Sequence, residues 1–328
     1  MKLAEFLPAE PNRLWDLAAQ MGVRYAICKC APELTGLKAP DDFDSLQAIH
    51  ARFAARGFQL LGLEGDEFDM QRIKLGLPGR EEDLDRYCRM LENMGRLGIP
   101  LLCYNFMAGI GWHRSAPDRP IRGGALTSAF VLRDVPADLT EYGKVEAERV
   151  WDNYAWFLEQ VLPVAEANGV TMGLHPDDPP VPVLRGIARI LSTPDGIRRA
   201  MALSDSPSHG LTYCQANFRL LGDADGALLR EFKDRIAFVH FRDVEGTAEC
   251  FHETFHDDGP TDMPGMIRLY REIGFNGPIR VDHVPTMAGE ANENPGYAML
   301  GRLFAVGYLK GILDTLETSE TTPKEKST

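Results

Sequence analysis

The chain has 328 residues, 44% of them hydrophobic and 25% charged, which is an ordinary composition for a globular protein. Its net charge of −13 argues against a nucleic-acid partner and provides no general attraction to acidic lipid surfaces. Six cysteines in a chain of this length do not indicate a disulfide framework. We interpret Cys28-Lys-Cys30 as ordinary strand residues, because one intervening residue is not the spacing of a zinc ribbon or a thioredoxin motif.

The N-terminus lacks the charged and then apolar pattern of a signal peptide. No run approaches the ~18 consecutive apolar residues of a membrane span. We therefore expect a cytoplasmic protein with no membrane partner, in a compartment that keeps thiols reduced.

Short apolar runs alternate with helical patterns along the chain. Predicted strands cover residues 3–7, 23–30, 58–63, 99–106, 170–175, 210–214, 236–241 and 278–284. Predicted helices cover residues 11–21, 44–56, 81–97, 146–168, 195–203, 225–234, 262–274 and 296–316. Eight strands alternating with eight helices predict an α/β fold, a (β/α)8 or TIM barrel, as a single domain over residues 1–318.

Two connections are too long to be simple turns. Residues 107–145 follow the fourth predicted strand and residues 245–261 follow the seventh, so both should emerge at the catalytic face of the barrel. Long loops at that face are usually lids or specificity elements. The polar residues 319–328 are expected to be a disordered tail.

Four predicted strands end in a potential metal ligand, namely His175, Cys214, His240 and Asp282. Imidazole, thiolate and carboxylate together suit a borderline divalent transition metal, and the carboxyl ends of barrel strands meet at one face. We therefore predict one such ion per chain. Each residue also has a structural alternative: His175 as a hydrogen-bonded core histidine in a proline-rich turn, and Cys214 as a small buried hydrophobe.

Arg242 follows His240 by two residues, so both side chains should point to the same side of their strand. A guanidinium at that place is well shaped to bind a substrate carboxylate. The alternative is an ion pair at the rim with Asp243 or Glu245.

His283 is adjacent to Asp282, and both can reach the site only if the strand ends there, which Pro285 favours. Asp282 would then bind the metal, while His283 would be free to move a proton near neutral pH. Glu253 and His256 are interpreted as loop residues near the mouth of the site.

With these segments identified, the chain resembles the mannonate dehydratase family. The resemblance covers roughly residues 99–316 and rests on Cys103-Tyr-Asn-Phe-Met107, Trp112 with Arg114, His175-Pro-Asp-Asp-Pro-Pro180, His240-Phe-Arg242, Gly259 with Asp262-Met263, Asp282-His283, Asn294-Pro-Gly-Tyr297 and Gly301-Arg-Leu303. It implies a xylose-isomerase-like barrel that uses manganese or a similar divalent ion. Position by position, it implies metal ligation by His175, Cys214, His240 and Asp282, and proton transfer by His283 and Tyr297.

Four segments depart from that family, among them Ala216-Asn217 in place of Gly-Ser after Cys214 and Asp282-His-Val284 in place of Asp-His-Gly. After the fourth strand, the family has Asp-Trp-Thr-Arg-Thr and this chain has Gly111-Trp-His-Arg-Ser115. After the second strand, the family has paired histidines and this chain has Cys28-Lys-Cys30. The metal ligands are thus retained while the substrate wall is altered. We expect this change to affect the choice of substrate.

The resemblance predicts a hydro-lyase that converts D-mannonate or a close relative to 2-keto-3-deoxy-D-gluconate, a reaction of glucuronate catabolism. The proton next to the carboxylate is removed and the 3-hydroxyl is lost, with Arg242 and Asn105 as candidate substrate contacts. One alternative is a metal-dependent isomerase, epimerase or lyase on a related keto sugar or glycoside, and another is a metal-containing sugar-binding protein. The expected partners are therefore small-molecule sugar acids or keto sugars, with a homo-oligomer left open.

Overall fold

Eight parallel strands close into a barrel. The computed structural model describes residues 1–321, with side chains described through residue 316. The strands are β1 (Lys2–Phe6), β2 (Tyr25–Cys28), β3 (Gln59–Glu64), β4 (Leu101–Asn105), β5 (Ala116–Pro120), β6 (Leu126–Val131), β7 (Thr171–His175), β8 (Val183–Leu184), β9 (Ile187–Ala188), β10 (His209–Cys214), β11 (Ile236–Phe241), β12 (Val244–Thr247), β13 (Cys250–Glu253) and β14 (Pro278–Val281). The closed barrel has the order β1-β14-β11-β10-β7-β4-β3-β2. The predicted fold class is confirmed.

Helices follow the barrel strands. They are α1 (Arg13–Gln20), α2 (Pro32–Thr35), α3 (Phe43–Ala55), α4 (Gln71–Leu75), α5 (Arg80–Leu97), α6 (Ala147–Ala167), α7 (Pro194–Ala202), α8 (Gln215–Leu220), α9 (Ala227–Glu231), α10 (Met263–Glu272) and α11 (Met299–Thr321). Side-chain caps start several of them: Asp42 accepts a hydrogen bond from the backbone of Ser45, and Asp262 accepts one from Gly265. Each of the eight predicted helices overlaps one of these, and the short helices α2, α4 and α8 are additional. Because α11 continues to Thr321, the first three residues of the predicted disordered tail are helical, and residues 322–328 lie outside the described residues.

The barrel strands are buried on both faces. One hydrophobic cluster lies inside the barrel and includes Ala4, Ile27, Leu61, Leu101 and Phe238. A larger cluster joins the outward-facing strand residues to the surrounding helices. Burial on both faces explains why these strands appear in the sequence as continuous apolar runs rather than as alternating patterns.

The two long connections fold together. Strands β5 and β6 come from the connection after β4, strands β12 and β13 come from the one after β11, and the four form one antiparallel sheet in the order β12-β13-β6-β5. Phe251 of β13 pairs with Phe130 of β6, so the two segments are in register with each other. This cap sheet lies on the catalytic face. Among the described helices, none combines the length and the apolar character needed to cross a bilayer.

Candidate active site

The predicted metal ligands lie at the carboxyl ends of their strands. His175 and Cys214 are the last residues of β7 and β10, His240 is the penultimate residue of β11, and Asp282 directly follows β14. One ligand atom from each of His175, Cys214 and His240 lies within 4.8 Å of the other two. The structure therefore brings together three groups that are widely separated in the sequence, since their parallel strands all end at one face.

Asp282 lies beside this three-residue cluster. Its Oδ2 is 3.6 Å from Nδ1 of His240 and 3.0 Å from Nε of Arg242, and its Oδ1 is 3.0 Å from Nη2 of Arg280. Burial by itself would raise the pKa of Asp282, but the positive charges of His283, Arg280 and the other basic neighbours hold it well below its usual range. Asp282 is therefore a carboxylate that the cluster shares with two arginines.

The imidazoles of the cluster are suited to a metal ion. Nδ1 of His175 donates to the backbone oxygen of Pro176 at 2.7 Å, which leaves the lone pair on Nε2. Both ring nitrogens of His240 are buried without a hydrogen-bond partner. Carboxylate oxygens of Glu64 and Asp282 lie 3.3 and 3.6 Å away, so the ring is held by charge alone and keeps a lone pair available to a metal ion.

The charges around the cluster are also consistent with a divalent cation. The surrounding ion pairs join three guanidiniums to four carboxylates, those of Arg114, Arg242 and Arg280 and of Glu64, Asp178, Glu253 and Asp282. A metal-ligating cysteine binds as the thiolate, so Cys214 would bring the excess of negative charge to two. A bound cation would offset that excess, which a protonated His283 would lower by one, and unbalanced charge in a buried site is costly.

Arg242 is buried at the centre of this network. Its Nε lies 3.2 Å from Sγ of Cys214, Nη1 lies 2.5 Å from Oε1 of Glu253, and Nη2 lies 2.6 Å from Oδ2 of Asp178. It does not form the rim ion pairs with Asp243 or Glu245 that the sequence left as an alternative. Because its donors are engaged and it does not line the catalytic cavity, the geometry favours a positioning role over direct substrate contact.

Glu253 is the last residue of β13, and it is fully buried rather than placed in a loop at the mouth. Its Oε1 accepts from Nη2 of Arg114 at 2.6 Å and from Arg242, and lies 3.1 Å from Nδ1 of His283. Burial opposes ionisation of Glu253, but the charges of Arg242, His283 and Arg114 lower its pKa to about 2. His256 does lie in the loop after β13, but it is buried, and its Nε2 is 2.8 Å from the backbone oxygen of Phe241. The cap sheet thus brings a fixed negative charge to the site.

His283 and Tyr297 form a pair on the cavity wall. The hydroxyl of Tyr297 lies 3.3 Å from Nε2 of His283, and the Trp112 ring packs edge-on to the imidazole, with centroids 5.1 Å apart. Gly296 has φ of +90°, and a Cβ there would lie 3.3 Å from the His283 ring, so glycine allows the loop to approach. Burial raises the pKa of Tyr297, so its phenol keeps the proton at neutral pH.

These groups surround one cavity with about 500 Å³ of open space. It is lined by Glu64, Gly65, Cys103, Tyr104, Asn105, Met107, Trp112, His175, Asp178, His240, Asp282, His283 and Tyr297. Oδ1 of Asn105 accepts from Nζ of Lys74 at 2.8 Å and from the backbone of Met107 at 3.1 Å, and Nδ2 donates to Oδ1 of Asp66 at 3.5 Å, so the second amide hydrogen is the one left to donate to a ligand.

Sequence reasoning missed two residues of this site. Glu64 ends β3 and lies 3.3 Å from Nε2 of His240, and a polar residue that closes an apolar strand is the same pattern that identified the four predicted ligands. Lys74 is fully buried in the short helix α4 and binds Asp66 as well as Asn105. No sequence pattern pointed to Lys74.

Comparison with known proteins identifies the family. The sequence profile described as D-mannonate dehydratase (UxuA) matches residues 41–140 and 131–323. The chain belongs to the D-mannonate dehydratase family. It is therefore a hydro-lyase by family, and the resemblance found in the sequence is confirmed.

Curated members of the family are similar over most of this chain. Mannonate dehydratase 1 of Halalkalibacterium halodurans is 32% identical over 285 residues, which cover 76% of this chain and 78% of that protein. The mannonate dehydratase of Streptococcus equi subsp. zooepidemicus is 32% identical over 272 residues, 74% of each chain. The family relationship thus extends over about three quarters of the sequence.

Solved structures give the same result for the fold. The crystal structure of mannonate dehydratase from Streptococcus suis serotype 2 superimposes with a TM-score of 0.88 at 26% identity and covers 100% of this chain and 98% of its own. The 3-keto-D-glucoside 4-epimerase YcjR from E. coli has a TM-score of 0.63 at 14% identity, covers 96% of this chain and 99% of its own, and shows a shared barrel fold alone.

Proposed function

We propose that this chain dehydrates D-mannonate or a closely related sugar acid to the 2-keto-3-deoxy acid with the help of a divalent transition metal. One observation carries the proposal: the ligand atoms of His175, Cys214 and His240 converge within 4.8 Å, and the two histidines line the same cavity as the His283–Tyr297 pair. The curated relatives carry the name mannonate dehydratase, which supplies the substrate class.

His175, Cys214 and His240 would hold the ion, with Asp282 as the fourth group. Manganese or a similar ion suits this mixture of nitrogen, sulfur and oxygen donors. When bound, the ion supplies a Lewis acid that stabilises negative charge on the carboxylate and the neighbouring hydroxyl of a sugar acid.

Two proton transfers remain for the protein. A base removes the proton from C2, next to the carboxylate, and an acid gives a proton to the 3-hydroxyl as the C3–O bond breaks, so one water leaves and the enol becomes the keto acid. His283 and Tyr297 are 3.3 Å apart on the cavity wall and would divide these two roles.

The surrounding residues would hold this pair and the substrate in place. Arg242 and Glu253 both contact Nδ1 of His283, at 2.7 and 3.1 Å, and thereby fix its ring from the side opposite Tyr297. Asn105 would donate its remaining amide hydrogen to a substrate oxygen, since Lys74 occupies the amide oxygen and Asp66 accepts from the other hydrogen.

Metal content provides the first test. We expect about one divalent ion per chain in the purified protein, lost on Cys214→Ala or His240→Ala. Cys250→Ala is the matched control, because Cys250 is exposed and outside the cluster. Unchanged metal content in both site variants would contradict the ligand assignment.

Turnover provides the second test. The manganese-loaded protein is incubated with a panel of aldonates and keto sugars, and the products are identified by NMR. A 2-keto-3-deoxy acid is the expected product. A rearranged keto sugar would replace the proposal with an isomerase or epimerase, and metal binding without any turnover would replace it with a sugar-binding protein.

A further inference from the structure

A second cavity adjoins the catalytic one. It offers about 910 Å³ of open space, compared with about 500 Å³ in the catalytic cavity, and Tyr297 lines both. We call it the Arg302 groove, and its walls include Phe6, Leu14, Lys29, Leu34, Tyr297 and Arg302. The two cavities therefore share the aromatic ring that the proposed function places at the reacting atoms.

Arg302 is buried against this groove with donors to spare. Its side chain is 5% exposed, and Nη1 donates to the backbone oxygen of Phe6 at 2.7 Å and lies 3.3 Å from Oε1 of Glu5. Nε has no hydrogen-bond partner. A guanidinium carries five N–H donors, and Nη2 enters neither of these contacts, so it is the group of this arginine that can donate to a ligand in the groove.

A second cation lies at the groove. Lys29 pairs with the exposed Glu33 at 3.6 Å, the kind of contact that contributes little in water. Glu10, the acidic residue that lines the groove, is hydrogen-bonded to Arg52, and the carboxylates that pair with the two cations, Glu5 and Glu33, lie outside the groove lining. The groove therefore combines positive charge with an apolar floor.

We propose that the Arg302 groove binds an anionic group at the far end of the substrate, so that the preferred substrate is a sugar acid with an anion at each end. This inference rests on the proposed function. The second anion is a carboxylate or a phosphate ester, since the planar fork of arginine matches both. The Tyr297 ring centroid lies 5.3 Å from that of His283 and 5.1 Å from the Arg302 guanidinium, so both groups contact the same ring.

Leu34→Glu tests the groove without touching the catalytic groups. Leu34 is 58% exposed, so a glutamate is tolerated there and adds a negative charge at the groove. Lys29→Met removes a positive charge from the same place. Leu139→Glu is the matched control, because Leu139 is 47% exposed and does not line the groove.

Kinetics are measured with a hexonate that ends in a neutral hydroxyl, a hexarate that ends in a carboxylate, and a 6-phosphohexonate. We expect one of the two dianions to have the highest kcat/KM, which tells carboxylate from phosphate. Leu34→Glu and Lys29→Met should each raise the KM of that dianion by about tenfold or more with kcat unchanged. Leu34→Glu adds a negative charge that repels the far anion, and Lys29→Met removes a positive charge that attracts it. The hexonate should respond to neither variant, and Leu139→Glu should leave all three acids unchanged.

Calorimetric binding to the metal-loaded protein separates this inference from the proposed function. If no acid is turned over but Leu34→Glu still weakens binding of the dianion, the groove assignment stands and the dehydration fails. If the hexonate is dehydrated and neither dianion is preferred or sensitive to Leu34→Glu, the groove assignment is wrong and the dehydration stands. If no acid is turned over and none binds in a way that depends on Leu34, both are wrong.

Discussion

Glu253→Gln should destabilise the protein strongly, although the two side chains have nearly the same shape. Oε1 of Glu253 faces the guanidiniums of Arg114 and Arg242, both of which are buried. The amide removes the negative charge and turns part of its surface into a donor, so two buried cations lose one of the two carboxylates that they share, the other being Asp178. Breaking a buried ion pair from one side typically costs about 3–5 kcal/mol.

The pKa of the carboxyl gives a second estimate. It is lowered from 4.5 to about 2, because the effect of burial is outweighed by Arg242, His283 and Arg114. At about 1.4 kcal/mol per pKa unit, ionisation of Glu253 contributes about 3 kcal/mol to folding. The folded-state pKa is depressed, so this contribution is fully present above pH 4.5 and is lost as the pH falls toward 2.

Scanning calorimetry of the metal-free protein provides the measurement. With an unfolding entropy of roughly 2.1 cal/mol/K per residue over this chain length, the loss corresponds to a Tm lower by about 4–7 °C at pH 7. Glu231→Gln is the control, because the Arg198–Glu231 pair is exposed and should contribute at most about 1 kcal/mol. Equal Tm shifts for the two variants would refute the reasoning.

Three further predictions concern the proton-transfer pair, the substrate wall and acid stability. His283→Ala and Tyr297→Phe should keep the metal and lower kcat by a factor of ~10² or more; parallel loss of metal in the same preparations would make both residues structural. D-Mannonate should be a poor substrate, with kcat/KM below ~10⁴ M⁻¹s⁻¹. Gly111→Asp should raise the kcat/KM for D-mannonate, and the new side chain meets open space at that position. A wild-type kcat/KM above that value would show that the change at residues 111–115 does not affect the choice of substrate. Burial lowers the pKa of His209 to about 4, and its Nε2 lies 3.0 Å from the backbone oxygen of Ala200. Because the folded protein binds this proton less readily than the unfolded chain, the contribution of neutral His209 to the free energy of unfolding is complete above pH 6.5 and is lost toward pH 4. The loss between pH 7 and 5 is about 2 kcal/mol. Denaturant unfolding should show that the free energy of unfolding of His209→Gln falls less between pH 7 and 5 than that of the wild type. Equal decreases for the two proteins would contradict this prediction.

The sequence was sufficient for the barrel and for the placement of the ligand residues. Continuous apolar runs that alternate with helical patterns identify buried parallel strands, and such strands end at a single face. His175, Cys214 and His240 could therefore be placed in one neighbourhood without knowledge of any distance between them. Glu64 ends a strand in the same way, and it was missed because the predicted strand stopped one residue before it.

Only the tertiary structure decided what the neighbouring charges do. Alternation along β11 places Arg242 on the side of His240, but its partners come from elsewhere: Asp178 from the turn after β7 and Glu253 from the cap sheet. That sheet forms from two connections more than a hundred residues apart, whose pairing no local pattern encodes. The Arg302 groove likewise depends on how the ends of β1 and β2 pack against α11. Strand ends follow from local periodicity, whereas buried ion pairs and cavities depend on long-range packing, which the order of residues along the chain does not show by itself.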